Sequence, residues 1–199
     1  MFALLSGDIP AIIYCDKAMD IAQAQRMIKE YNLDAKFVLG SECYKAAKAI
    51  AKMDVPVVLS PNLVFWEEDP RTKEEDKIVL TEIFREHGVE FVFQVTRSNS
   101  QTLGATFLWY QAATAVKYGM PKQEALEALT LTPAKFHGID KFVGSIEKGK
   151  DADLVILSGE PLKIDTWVEK TIVSGEVVYD KTKDKQLKQL LTGEDADSE

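Results

Sequence analysis

The chain has 199 residues, of which 46% are hydrophobic, and a formal net charge of −8. That composition is one of a folded protein with a sizeable core, and the acidic balance excludes a nucleic-acid partner, whose phosphates require clustered Lys and Arg. No stretch approaches the ~20 consecutive apolar residues of a membrane span, so no membrane partner is expected.

The first hundred residues alternate short apolar runs with amphipathic stretches. Residues 10–15 read as a buried strand, and 17–31 as a helix with Ile21, Ala24, Met27 and Ile28 on one face. A second strand is predicted at 35–39, ended by Gly40, and a second helix at 42–53. Residues 55–60 form the third strand, with Pro56 near its start, where a missing N–H is tolerated. A long loop over 61–71 carries Phe65 and Trp66, and 74–87 reads as a helix with Ile78, Leu80, Ile83 and Phe84 turned mostly inward. The fourth strand spans 90–95; a polar loop and a helix over 103–118 follow. Near-continuous apolar strands separated by helices predict a parallel α/β sheet. With no Gly-rich phosphate loop, four such units fit half of a (β/α)8 barrel better than a dinucleotide fold.

Pro121 opens one more helix. After Gly138 the pattern turns to strands at 143–146, 153–157, 168–173 and 176–179, with Ser174-Gly175 as a tight-hairpin signal. The expected organisation is therefore 1–140, 141–180, and a last segment, 181–199, holding a short amphipathic helix and an acidic disordered tail.

Three motifs in the last third belong together. They are Ala125-Leu-Glu-Ala-Leu-Thr-Leu-Thr-Pro-Ala134, Gly144-Ser-Ile-Glu-Lys-Gly-Lys-Asp-Ala-Asp-Leu-Val-Ile-Leu157 and the 168–179 hairpin. This series resembles the C-terminal signature of the amidohydrolase superfamily, in particular its imidazolonepropionase-like members. The resemblance implies a partial TIM-type barrel of about four βα units, strands five to eight, in residues 1–140 with the terminal helices. It implies a small incomplete β-sandwich in 141–180. A complete barrel takes about 250 residues, so units one to four would lie outside this chain.

Family enzymes hydrolyse C–N bonds with zinc or another divalent metal, which acidifies a bound water and polarises the substrate carbonyl. The resemblance places the family's strand-five His at Tyr14, its strand-six His at Leu39 and its strand-eight Asp at about Thr96. The His-x-His pair of the first strand has no counterpart. A leucine offers no lone pair and a threonine is a poor base, so no metal ligand, catalytic residue or cofactor is expected in this chain alone. A pocket at the barrel mouth would draw on Tyr14, Asp16, Thr96, Ser98 and Asn99, among neighbours Ser41, Glu42, Arg97 and Gln101. The plainer reading has Asp16 and Ser41 as helix caps before Lys17 and Glu42, with 96–101 an ordinary polar loop. His87 and His137 each precede a glycine at a helix end, where they complement the helix dipole.

Cys15 and Cys43 form no CxxC pair and read as buried thiols. Residues 1–5 are too short for a signal-peptide core. A cytoplasmic location is expected, unless a targeting signal lies upstream. Three functions follow from the resemblance: the C-terminal portion of an amidohydrolase without a working metal site, one subunit of a split amidohydrolase, or a non-catalytic interaction protein. A half-barrel with bare edges predicts a homodimer or a complementary N-terminal half-chain as partner.

Overall fold

Near-continuous apolar strands separated by helices pair in parallel, and the first unit is built on that rule. The computed structural model describes residues 2–94 and 108–193. A four-stranded sheet runs in the order β1 (Ala11–Cys15), β2 (Ala35–Leu39), β3 (Val57–Val58) and β6 (Phe91–Val92), every pair parallel. A one-turn helix, α1 (Phe2–Leu5), precedes the sheet, and α2 (Ala18–Tyr31) links the first two strands. A 3₁₀ turn (Ser41–Ala46) running into α3 (Ala47–Ala51) links the next two. Residues 1–138 and 139–199 form two compact units.

The period-two alternation of the strands sorts their side chains onto two faces. Phe37, Val57 and Phe91 stand side by side and are buried, as are Ile21, Ala24, Ala47 and Ile50 of the linking helices. The opposite row reads Tyr14, Val38, Val58 and Val92. There Phe136 of a late helix (Leu131–His137) packs against Val38, Val58 and Val92. Lys36 fastens that helix by donating to the Phe136 carbonyl, its ammonium 4.9 Å from the ring centroid. At the β1 end the same face is uncovered: Ile12 and Tyr14 are 62% and 64% exposed.

Several elements differ from the sequence expectation. The 61–71 segment is no loop and the helix does not begin at 74. Instead β4 (Val64–Glu68) and β5 (Glu75–Val79) form an antiparallel hairpin, and α4 is confined to Leu80–Glu86. Asp69 closes its turn, accepting the Arg71 and Thr72 N–H groups at 2.7 and 3.0 Å. One hairpin face is pinned to the 3₁₀ turn, Phe65 lying 6.0 Å from Tyr44 edge to face and Glu67 taking both Tyr44 and Lys45. Trp66, on the other face, is exposed. Residues 143–145 form bends and 146 belongs to no strand, because Gly144 takes a positive φ and the Asp151 N–H closes back on Phe142. Val95, the 96–101 loop, 103–107 and the acidic tail from 194 lie outside the described residues; the expected 103–118 helix is described over Leu108–Lys117, and the helix after Pro121 spans Lys122–Glu127.

The second unit is a three-stranded antiparallel sheet, β7 (Leu154–Leu157), β8 (Val168–Val173) and β9 (Glu176–Asp180), followed by a helix at Lys185–Thr192. Ser174 and Gly175 turn β8 into β9 with φ of 51° and 84°, the left-handed pair that a two-residue hairpin demands. Asp153 accepts the Ser174 N–H at 2.7 Å, and Asp184 caps the last helix through the Leu187 N–H. None of the described residues from 139 to 193 is buried. Among the described residues no helix is long and apolar enough to cross a membrane.

Gly40 follows β2 directly and lies against the backbone at the end of β1. Its N–H donates to the Cys15 carbonyl at 2.7 Å, and a Cβ there would overlap the Asp16 carbonyl oxygen. Gly40→Ala therefore must push two backbones apart. The expected cost is about 2 kcal/mol or more, read as a lower denaturant midpoint in chemical unfolding; an unchanged midpoint would contradict the packing described.

Candidate functional site

In a parallel sheet, polar groups that can meet a ligand gather at the carboxyl ends of the strands. Here those ends carry Tyr14 and Asp16 after β1, Gly40 and Ser41 after β2, and Ser60 to Asn62 after β3. Tyr14 and Asp16 are two apart on an extended segment and so share a side; the Tyr14 hydroxyl donates to Asp16 Oδ1 at 3.0 Å. That hydrogen bond, reinforced by partial burial and the carboxylate's charge, raises the phenol above its ordinary value. Tyr14 is the donor of this pair, and the shift extends its neutral range further into alkaline pH.

Beside it, Ser41 Oγ and Ser60 Oγ lie 2.9 Å apart, and the Asn62 N–H reaches Ser60 Oγ at 3.3 Å. The buried Gln111 donates to the Pro61 carbonyl at 2.9 Å. These contacts correct the cap readings. Asp16 gives its carboxylate to Tyr14, and α2 is opened instead by Asp20, which accepts the Lys17 N–H at 2.9 Å. Ser41 lies inside the 3₁₀ turn, whose cap is Gly40, and its hydroxyl serves Ser60. Ser60 and Gln111 were not expected at this rim. They pair across 19 and 50 residues, and no local pattern announces such a partner.

The expected pocket residues are therefore only partly brought together. Tyr14 and Asp16 meet; Thr96, Ser98 and Asn99 lie outside the described residues. Leu39 is buried on the helix-covered face, and the residue paired with Tyr14 on its own face is Val38. His87 ends α4 with Nδ1 at 2.9 Å from the Ile83 carbonyl, and His137 ends its helix with its ring edge-on to Phe136.

A divalent ion needs several nitrogen or oxygen donors converging on one point. Among the described residues no three His, Cys, Asp or Glu side chains do so. A protonated phenol, one carboxylate and an alkyl neighbour do not make such a set, so these residues do not fit a resident metal. What the rim can do is donate and accept hydrogen bonds through Tyr14, Asp16, Ser41 and Ser60.

Asp16→Asn removes the charge and the strong acceptor that raise the Tyr14 phenol. The Tyr14 phenol should then titrate at lower pH, toward the ordinary tyrosine range, in an absorbance titration of tyrosinate. The sign also fixes a linkage effect. A raised phenol favours the folded chain below the unfolded tyrosine pKa, and that contribution fades as pH rises through the folded value. An unmoved titration curve in the variant would mean that Asp16 is not the cause.

Comparison with known proteins agrees with this architecture and extends it. The model of the Amidohydrolase family matches residues 13–178. A solved amidohydrolase from Thermotoga maritima MSB8 superposes with a TM-score of 0.74 and 31% identity, covering 90% of this chain and 46% of that one. An imidazolonepropionase from Thermoplasma volcanium is 38% identical over 81 residues, 37% of this chain and 20% of the relative. An N-acetylglucosamine-6-phosphate deacetylase from Rattus norvegicus is 42% identical over 62 residues, 31% of this chain and 14% of the relative. The chain spans less than half the length of each of these. The parallel α/β sheet, the family match over most of the sequence and the superposition lead to one conclusion: the chain belongs to the amidohydrolase family.

Proposed function

We propose that this chain is the C-terminal portion of an amidohydrolase-type protein and performs no metal-dependent hydrolysis by itself. In this reading residues 1–140 supply barrel units five to eight with the terminal helices, 141–180 supply strands of an incomplete β-sandwich, and 181–199 form a terminal helix and tail. The observation that carries the reading is the phase of β1 and β2. In this reading the family's strand-five and strand-six ligand positions correspond to Tyr14, a phenol bonded to Asp16, and Leu39, an alkyl group buried on the far face. Metal-assisted C–N hydrolysis needs a water activated on a bound ion, and neither side chain can hold one there. The Thr96 position would add only a weak hydroxyl.

A split enzyme, completed by a chain carrying units one to four, is the second reading. Its support is the 46% span of the Thermotoga maritima relative. Against it stands the fact that a partner adds residues but cannot replace Tyr14 or Leu39.

The decisive measurement is metal content after dialysis, together with hydrolysis of amide, lactam and imidazolone substrates. The expected result is no stoichiometric zinc, manganese or iron and no turnover above background. Retained metal with chelator-sensitive activity would refute the reading. Restoring Tyr14→His, Leu39→His and Thr96→Asp together should still give no turnover, because ligand sets act with a supporting shell, and the imidazole at 39 would enter the helix-packed face. Turnover in that triple variant would show the site to be self-contained.

A further inference from the structure

Trp66 serves neither the core nor the rim, and it is 63% exposed. In the β4–β5 register it stands opposite Lys77, so the two share the hairpin face turned away from Phe65 and Tyr44. Trp66 borders a hollow of about 550 Å³ whose other wall is the Leu108–Lys117 helix with the Tyr118 that follows it. On that wall Tyr110, Thr114 and the Lys117–Tyr118 pair recur at helical spacing and form one stripe. The two walls are tied together twice. Buried Gln111 donates to the Pro61 carbonyl at 2.9 Å, and the Lys77 ammonium stands 4.1 Å from the centroid of the Tyr118 ring. The hollow is therefore built into the fold, and its size is that of a small-molecule site.

We infer that this hollow binds a small planar aromatic anion, of the aryl carboxylate class. It shares no lining residue with the Tyr14, Asp16, Ser41 and Ser60 set. Three observations select the ligand. Trp66 and Tyr110 are large rings left 63% and 57% exposed at the border, and a flat ring laid against them removes apolar area on both sides. Charge comes next. Lys117 borders the hollow and no carboxylate does; Lys77 and Lys117 flank Tyr118, their ammoniums 4.1 and 5.6 Å from its ring centroid. Among the described residues neither lysine is paired with a carboxylate. Of the acids on the Trp66 face, Glu68 is held by Lys73 at 2.7 Å, and Glu75 does not border the hollow. In a chain of net charge −8, such a border reverses the local sign and favours an anion. Finally, Asn62 and Thr114 add neutral N–H and O–H groups from which a carboxylate accepts.

The test titrates 2-naphthoate into the 199-residue chain by calorimetry, with neutral 2-naphthamide and saturated cyclohexanecarboxylate as controls. One-to-one binding with a dissociation constant on the order of 0.1–1 mM is expected for the naphthoate. Both controls should bind about fivefold more weakly, the amide for want of charge and the saturated acid for want of a ring. Trp66→Ala should weaken naphthoate binding by about tenfold. Lys117→Gln should weaken it by about threefold and leave the amide unchanged. Both side chains are exposed, so the unfolding midpoints of the variants should match that of the parent chain. Should Trp66→Ala lower the midpoint, Lys117→Gln and its contrast between acid and amide decide the matter. No naphthoate binding at several millimolar would overturn the inference, as would equal affinity for either control. Binding that survives both substitutions unchanged would place the ligand elsewhere and overturn the site.

Discussion

The phase of β2 governs the rest of the first unit. Phe37 must stand beside Val57 and Phe91 to fill the layer under the helices, and once it does, every other residue of the strand is committed. Ala35 and Leu39 follow Phe37 inward; Lys36 and Val38 go to the opposite face. A slip of one residue would exchange the two sets, placing Lys36 in the aromatic row and Phe37 on the open side. The loss is so large that the register is effectively fixed, and with it the chemistry available beside Tyr14.

This separation also lets the fold stay the same while the residues at the strand ends vary. The packing row and the rim at the strand ends are different residues with different tasks. Phe37, Val57, Ile50 and Phe84 hold the layers together and never meet a ligand at the mouth. Tyr14, Asp16, Ser41 and Ser60 occupy the mouth and contribute little burial. Fold and activity are carried by separable sets of side chains, so substitution at the rim leaves the architecture intact.

Much of that architecture was legible in the sequence, because parallel strands buried on both faces appear as continuous apolar runs and because Ser174-Gly175 can hardly be anything but a hairpin turn. The β4–β5 hairpin was not legible. Its strands are stabilised by Phe65 against Tyr44 and by Glu67 with Lys45, which lie about twenty residues earlier. In the sequence alone, the charged run before Ile78 continues the helical period of the segment after it. Asp16 and Ser41 have the right types for caps and stand at the right positions, yet tertiary partners claim their side chains. The Tyr14–Asp16 pair follows from strand periodicity; the Ser41–Ser60 and Gln111–Pro61 contacts depend on how separate strands and helices come to rest, which no local pattern encodes.

The two cysteines sit where the end of β1 meets the 3₁₀ turn of the second crossover. Both are buried, and the Cys43 thiol donates to the Cys15 carbonyl at 3.1 Å. Burial pushes the Cys43 thiol up to about 12 and also raises Cys15. Thiolate is the reactive form, so at neutral pH the folded chain presents no nucleophilic sulfur from either position. Separating β1 from β2 exposes both at once and returns them to ordinary acidity. The pair thereby acts as an intrinsic clock for sheet opening: alkylation by a thiol reagent counts how often the first two strands part.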